Sequence, residues 1–184
     1  ELKPAFPPVP ICVRLREAFS LRSGQELDGW IFSTLEAHLS VQGKSLAAYP
    51  LRKPFKTLFG MPETGVICRY DEADFLASGE AVLGTLHDDP VLVAHPVHLK
   101  NVSSMPVTVT DLCIYGEQLS IFRQGSRFQT EGIQFTFSQA GVRMNLDSKA
   151  SLGPGSVLVA KPSVSGEERF IERSFELFKA ITRI

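Results

Sequence analysis

The chain has 184 residues, of which 43% are hydrophobic and 21% are charged, a balance typical of one globular domain. Its 19 basic and 20 acidic residues give a net charge of −1, without the basic excess that a nucleic-acid-binding surface needs. The composition therefore predicts a single folded domain over residues 1–184 and argues against nucleic acid as a partner.

The cysteines and the apolar runs bear on the compartment. No apolar run approaches the roughly 20 residues that a membrane-spanning helix needs. Cys12, Cys68 and Cys113 are widely spaced and odd in number, which does not suit a disulfide framework. We interpret them as reduced core residues of a cytoplasmic protein. The chain begins at Glu1 rather than at a methionine, which leaves a removed export signal as the alternative.

The first third of the chain contains one clear strand and one ambiguous segment. Four prolines in residues 1–10 predict an extended arm. Ile11–Arg16 alternates apolar and polar side chains, which indicates a half-buried strand. Trp30–Val41 fits a helix and a strand alike, and we favour a strand because the neighbouring segments are strands. Gln42–Glu63 contains three prolines and is predicted to be irregular.

The rest of the chain up to Lys161 is a series of short β-like runs separated by Gly, Pro, Asn and Ser turns. No helical pattern of 10–15 residues separates the runs after Pro90, so we expect hairpin links and antiparallel pairing. The pattern predicts a mainly β protein, an antiparallel β-sandwich. The predicted strands are Gly65–Tyr70, Phe75–Leu83, Val91–Leu99, Val107–Tyr115, Leu119–Phe122, Gly132–Ser138, Gly141–Leu146 and Val157–Lys161.

The end of the chain follows a different period. Ser165 and Glu168 fit a capping box, and Phe170, Phe175 and Phe178 then recur at helical spacing. This predicts one C-terminal amphipathic α-helix over residues 166–184. Acidic and basic residues are mixed on its polar side, so we expect the helix to pack on the sheet rather than on a membrane.

No catalytic or cofactor motif is present in the sequence. It has no G-x-S-x-G elbow and no glycine-rich phosphate loop, and we expect no cofactor. His87, Asp88 and Asp89 with His95 and His98 form the only cluster of metal-ligand types, and His87, Asp89 and His95 are weak metal candidates. On a strand, His95 and His98 point to opposite faces, and Pro90 marks His87 and Asp89 as part of a turn. We therefore expect no metal site here.

One segment, Thr57–Tyr70, is more distinctive than the rest. Its Leu58-Phe59-Gly60, Pro62, Gly65 and Ile67-Cys68-Arg69-Tyr70 resemble a motif of a family known only as a domain of unknown function, number 432. The later half of that family resembles Val97–Leu112 here, as paired strands around an Asn turn. The resemblance covers the central and C-terminal two-thirds of the chain and implies no function.

The distinctive segment has a structural and a functional interpretation. Gly60, Pro62 and Gly65 are typical of a tight turn, because glycine permits positive φ and proline fixes the loop. Arg69 and Tyr70 could present a polar pair that binds a carboxylate or a phosphate. Arg69 could equally pair with Asp71, Glu72 or Asp74, and we favour this structural interpretation.

Together these patterns predict a non-enzymatic domain that binds an unknown small molecule or protein. Its candidate surface is Gly60, Pro62, Gly65, Arg69 and Tyr70. One alternative is an enzyme of unknown class, whose site is assembled from distant strands. The other is a structural subunit that forms a homo-oligomer through sheet edges or the helix.

Overall fold

The computed structural model describes residues 2–42, 44–60, 65–77, 89, 91–147 and 152–164, and about two thirds of these are in β-strands. Gly116–Gln118 forms a single 3-10 turn. The strands are β1 (Leu2–Ala5), β2 (Ile11–Leu21), β3 (Glu26–Thr34), β4 (Glu36–Val41), β5 (Lys44–Pro50), β6 (Phe55–Phe59), β7 (Val66–Ala73), β8 (Leu76–Ala77), β9 (Leu92–Asn101), β10 (Val107–Ile114), β11 (Ile121–Gln124), β12 (Arg127–Gln129), β13 (Gly132–Ser138), β14 (Gly141–Asp147) and β15 (Val157–Ala160).

The strands form three sheets. A small sheet has the order β1-β4-β5, and a second sheet has the order β10-β2-β7-β6. The large sheet follows the path β14-β13-β9-β12-β11-β15, and β3 pairs with β9 and with the short β8. β9 is central, because it pairs with β3, β12 and β13. The mainly β prediction is confirmed.

One hydrophobic core joins the four-stranded sheet to the large sheet. Strand β9 alternates partly and fully buried residues along its entire length, as a strand with one face on a core must. His95 lies on the buried face with Val93 and Val97. The fully buried core residues include Val13 of β2, Val93 and Leu99 of β9, and Ile133 and Phe135 of β13.

Nine of the twelve strand pairs among the described residues are antiparallel, as predicted, and three are parallel, which corrects the prediction in part. β2 runs parallel to β7, and β9 runs parallel to β12 and β13. Parallel neighbours need a long crossover connection. The sequence-based prediction assumed that such a connection would be a helix. Here other strands supply it, most of them from neighbouring sheets: β3–β6 lie between β2 and β7 in the chain, and β10 and β11 lie between β9 and β12.

The prediction that Gln42–Glu63 is irregular was wrong, because the segment contains β5 and β6. Its prolines misled the prediction. Pro50 ends β5 and Pro54 precedes β6, and at these positions proline does not interrupt a ladder of hydrogen bonds. In the predicted arm over residues 1–10, Leu2–Ala5 form the edge strand β1, with Pro4 opposite Ala37 of β4.

The ambiguous segment Trp30–Val41 is strand, as favoured, but it is divided between two sheets. β3 ends at Thr34 and β4 begins at Glu36. Leu35 between them is fully buried, and its N–H donates to the carbonyl of Val91 at 2.8 Å. The predicted helix over residues 166–184 lies outside the described residues, as do Pro62 and His87. In the described part of the chain, no helix is long and apolar enough to cross a membrane.

Phe135→Ala should lower the free energy of unfolding by about 3–5 kcal/mol, because Phe135 is 1% exposed within the shared core. Phe55→Ala is the matched control, since Phe55 is 57% exposed and its loss should change stability by less than about 1 kcal/mol. Urea unfolding followed by circular dichroism measures both. Equal losses for the two variants would contradict the assignment of the core.

Candidate functional site

A buried arginine lies where the three sheets meet. Arg69 of β7 is 5% exposed, and its guanidinium donates to the carbonyl of Thr34 and, at 3.0 Å, to the carboxylate of Asp71. Its other terminal nitrogen is 3.9 Å from the carboxylate of Glu36. Thr34 ends β3 in the large sheet and Glu36 begins β4 in the small sheet. The Arg69 side chain therefore contacts all three sheets.

Asp71 completes this cluster from the same strand. Its carboxylate accepts the backbone N–H of Thr34 at 2.7 Å and the Thr34 hydroxyl at 3.3 Å. A buried cation needs such partners, because an unpaired charge in the interior is strongly destabilising. This geometry supports the structural interpretation of Arg69. Tyr70 is the next residue on the strand and points to the opposite face, so Arg69 and Tyr70 do not form a presented pair.

A second buried polar group lies behind the cluster. His95 is fully buried, and its two ring nitrogens lie 2.8 Å from the hydroxyl of Ser33 and 3.0 Å from that of Thr130. The ring of Phe6 stacks on it, with centroids 5.9 Å apart. Burial, together with the positive charge of Arg69, lowers the pKa of His95 from 6.5 to about 3. The imidazole is therefore neutral in the folded protein at neutral pH.

The Ser33–His95 contact resembles the nucleophile–base pair of a hydrolase, but its environment does not suit catalysis. Ser33 is 1% exposed, so a substrate cannot reach its hydroxyl. A general base works best with a pKa near the working pH, and the pKa of His95 is far below neutrality. Both ring nitrogens already have hydroxyl partners, which also argues against His95 as a metal ligand. The contact satisfies buried polar groups.

An open groove of about 590 Å³ lies beside the cluster, along the end of β7. Strand β6 begins at Phe55, opposite Tyr70, whereas β2 continues beside β7 as far as Ala73. Beyond Tyr70, β7 therefore has a described strand on one edge only. The apolar and aromatic residues that line the groove are Phe32, Phe55, Tyr70, Ala73, Leu76 and Leu92.

At the open edge of β7, the backbone N–H and C=O of Glu72 have no partner strand among the described residues. The N–H of Arg69 donates to the carbonyl of Pro10 at 2.8 Å, which directs the backbone of Arg69 towards β2. Because successive residues of a strand direct these groups to alternate edges, those of Asp71 and Ala73 also face β2. Those of Glu72 face the groove, where no strand of the described chain pairs with them.

The charges along the groove are balanced. Its lining contains three basic and four acidic residues, which are Arg16, Arg52, Lys53, Asp71, Glu72, Asp74 and Asp89. Arg16 pairs with Asp74 at 2.7 Å, and Arg52 pairs with Asp89 at 2.5 Å. These ion pairs are partly exposed and screened by solvent, so they contribute little to the stability of the fold.

Two charged groups of the lining have no ion-pair partner among the described residues. The Lys53 ammonium lies 5.7 Å from the centre of the Phe55 ring. The Glu72 carboxylate accepts the Tyr70 hydroxyl at 2.9 Å. The groove thus offers one cation and one anion to a ligand, next to two aromatic rings.

The other predicted site residues are spread over the molecule. Gly60 has a φ of +99°, and a side chain there would lie 3.1 Å from the Cα of Gly65, so the two glycines form a close approach at the turn. Asp89 lines the groove and His95 is in the core. Within the described ranges, no three His, Cys, Asp or Glu side chains are grouped so as to hold a metal ion.

The match to a family extends along the chain. A family model described as "Protein of unknown function (DUF432)" matches residues 1–179. The chain belongs to this family. The resemblance that Thr57–Tyr70 carries is confirmed, and the DUF432 match also includes the strands of the groove. No curated protein and no solved structure matches the chain significantly. The function of this DUF432 protein must therefore be argued from its geometry.

The stability of the protein should depend on pH through His95. Unfolding returns the pKa of His95 from about 3 to its ordinary value of 6.5, so between these pH values the unfolded chain binds a proton that the folded chain does not. The stabilisation from neutral His95 is complete above 6.5 and is lost as the pH falls, by about 1.4 kcal/mol per pH unit.

Urea unfolding of the wild type and of His95→Gln, from neutral pH to about pH 5, isolates this contribution. The variant cannot take up this proton, so the difference in stability between the two proteins should shrink as the pH falls. A difference that stays constant over this range would show that His95 is protonated in the folded state.

Proposed function

We propose that this DUF432 protein is a binding domain that takes an extended polypeptide segment into the groove beside β7. The observation that carries the proposal is the edge of β7 at Glu72, which no strand of the described residues pairs with and whose backbone groups face the groove. An extended peptide adds to such an edge as a further strand and satisfies the unpaired N–H and C=O groups.

The charges of the groove favour a peptide over a polyanion. A phosphate-rich ligand would require a basic excess, whereas three basic and four acidic groups line this groove. A peptide that carries an acidic and a basic side chain would pair the acidic one with Lys53 and the basic one with Glu72. A volume of about 590 Å³ lies within the range of ligand sites, and aromatic residues such as Tyr70 and Phe55 are enriched at protein interfaces.

Two further assignments belong with this proposal. The core shared by the four-stranded and large sheets supports the description of the fold as a β-sandwich. The three free cysteines support a reducing compartment such as the cytoplasm.

Selection of random phage-displayed peptides on the wild-type protein, followed by calorimetry with the enriched peptides, tests the proposal. Glu72→Pro removes the N–H at the open edge and leaves the β2 ladder intact, so it should weaken binding about tenfold or more. Glu72→Ala is the matched control. It keeps the N–H and removes only the carboxylate, so it should weaken binding about threefold or less.

Three results would contradict the proposal. One is that no peptide is enriched over an unrelated control protein. Another is that peptides bind Glu72→Pro as tightly as the wild type, in a variant whose melting temperature is unchanged. The third is a dimer, detected by light scattering, that Glu72→Pro dissociates, because the groove would then hold a second copy of the chain.

A further inference from the structure

The fold gathers the three cysteines into one cluster, although they are far apart in the sequence. Cys12 of β2, Cys68 of β7 and Cys113 of β10 are all buried, and they lie together with Tyr115. The sulfur atoms of Cys68 and Cys113 are 4.0 Å apart, across 45 residues of chain. All three residues are free thiols.

This cluster lies outside the main core. Cys12 points to the face of β2 opposite to that of Val13, which belongs to the main core. Among the described residues, the partly buried side chains of Phe59, Val66 and Met144 pack against the cluster. A small neutral oxidant needs a local opening to reach the thiols.

The three thiols differ in their readiness to react. The hydrogen bond with Cys113 lowers the pKa of Cys68, and the same bond, together with burial, raises the pKa of Cys113. Burial and the nearby Asp111 carboxylate raise the pKa of Cys12 to about 12. Since the thiolate is the reactive form, Cys68 is the attacking residue of the pair and Cys12 takes no part.

We propose that Cys68 and Cys113 are an oxidisable thiol pair that closes to an intramolecular disulfide when the protein meets a peroxide. The sulfurs must approach by about 2 Å to reach the length of an S–S bond. Closure links β7 to β10, which lie on either side of β2 in the four-stranded sheet. Strands two apart are roughly 10 Å from each other and a disulfide needs Cα atoms within about 7 Å, so closure also draws the two backbones together. A bridge over 45 residues constrains the unfolded chain, and the strain of this movement opposes that stabilisation.

The chemistry balances with hydrogen peroxide as the oxidant. The Cys68 sulfur loses its proton and attacks one peroxide oxygen, the O–O bond breaks, and the departing hydroxide takes up a proton as water. Cys68 is then a sulfenic acid. The Cys113 sulfur attacks it, the S–S bond forms, the S–O bond breaks, and the hydroxide leaves as water with the Cys113 proton. Two thiols are oxidised and one peroxide is reduced to two waters.

Treatment of the folded wild-type protein with hydrogen peroxide tests this directly. After quenching, denaturation and alkylation, the number of alkylated cysteines should fall from three to one. Peptide mapping without reductant should find Cys68 and Cys113 in one linked species, lighter by two hydrogens than its two peptides, with Cys12 alkylated. A thiol reductant should reverse the change.

Cys12→Ser is the matched control and should still form the bridge, whereas Cys68→Ser and Cys113→Ser should not. The proposal is overturned if the wild type keeps three alkylated thiols. It is also overturned if the link includes Cys12 or joins two chains, or if the cysteines are converted to sulfinic or sulfonic acids without a link. The wild-type map decides between these outcomes even where a variant does not fold.

Discussion

The contact of Arg69 with Thr34, Glu36 and Asp71 is the constraint on which the arrangement of the three sheets depends. The chain leaves the large sheet after Thr34 and enters the small sheet at Glu36, with only Leu35 between them. Such a sharp change of sheet leaves backbone groups without a ladder partner. Arg69 donates to the Thr34 carbonyl and Asp71 accepts the Thr34 N–H, so side chains of β7 provide the hydrogen bonds that these backbone groups need.

The cluster of Arg69, Asp71 and Thr34 also holds part of the groove wall in place. Thr34 and Asp71 form part of this wall, and both are held by the hydrogen bonds that join the sheets. Because Asp71 is committed to Arg69 and Thr34, the acidic group left for a ligand on this part of β7 is Glu72. A wall fixed in this way reduces the ordering that a ligand must impose on binding. The groove and the Arg69 cluster therefore lie along the same strand, β7.

Sequence patterns predicted the elements whose faces are simple. The alternation of β9 and of β13 follows from one buried face, and period two is readable without knowledge of the partner. The parallel pairs were not predictable in this way, because β2 meets β7 only after four intervening strands have been placed in three sheets. β5 and β6 were missed because Pro50 and Pro54 were taken as signs of a loop.

The candidate site was predictable only in part. Arg69 and Tyr70 were singled out on the basis of residue type, and the pairing of Arg69 with Asp71 was one of the partners considered. The groove itself depends on where β6 begins, and no local pattern records that. The grouping of Cys12, Cys68 and Cys113 likewise arises from the order of β10, β2 and β7 in one sheet. Such convergence is a property of topology rather than of spacing.

The most direct measurement of the central claim is a double-mutant cycle between Arg69 and Asp71, by urea unfolding of Arg69→Met, Asp71→Asn and the double variant. Arg69→Met should lower the free energy of unfolding by about 3–5 kcal/mol, because it leaves buried carboxylates without their cation. The double variant should lose clearly less than the sum of the single losses, by about 1 kcal/mol or more. Additive losses, or a stable Arg69→Met protein, would contradict the role of Arg69 as the junction of the sheets.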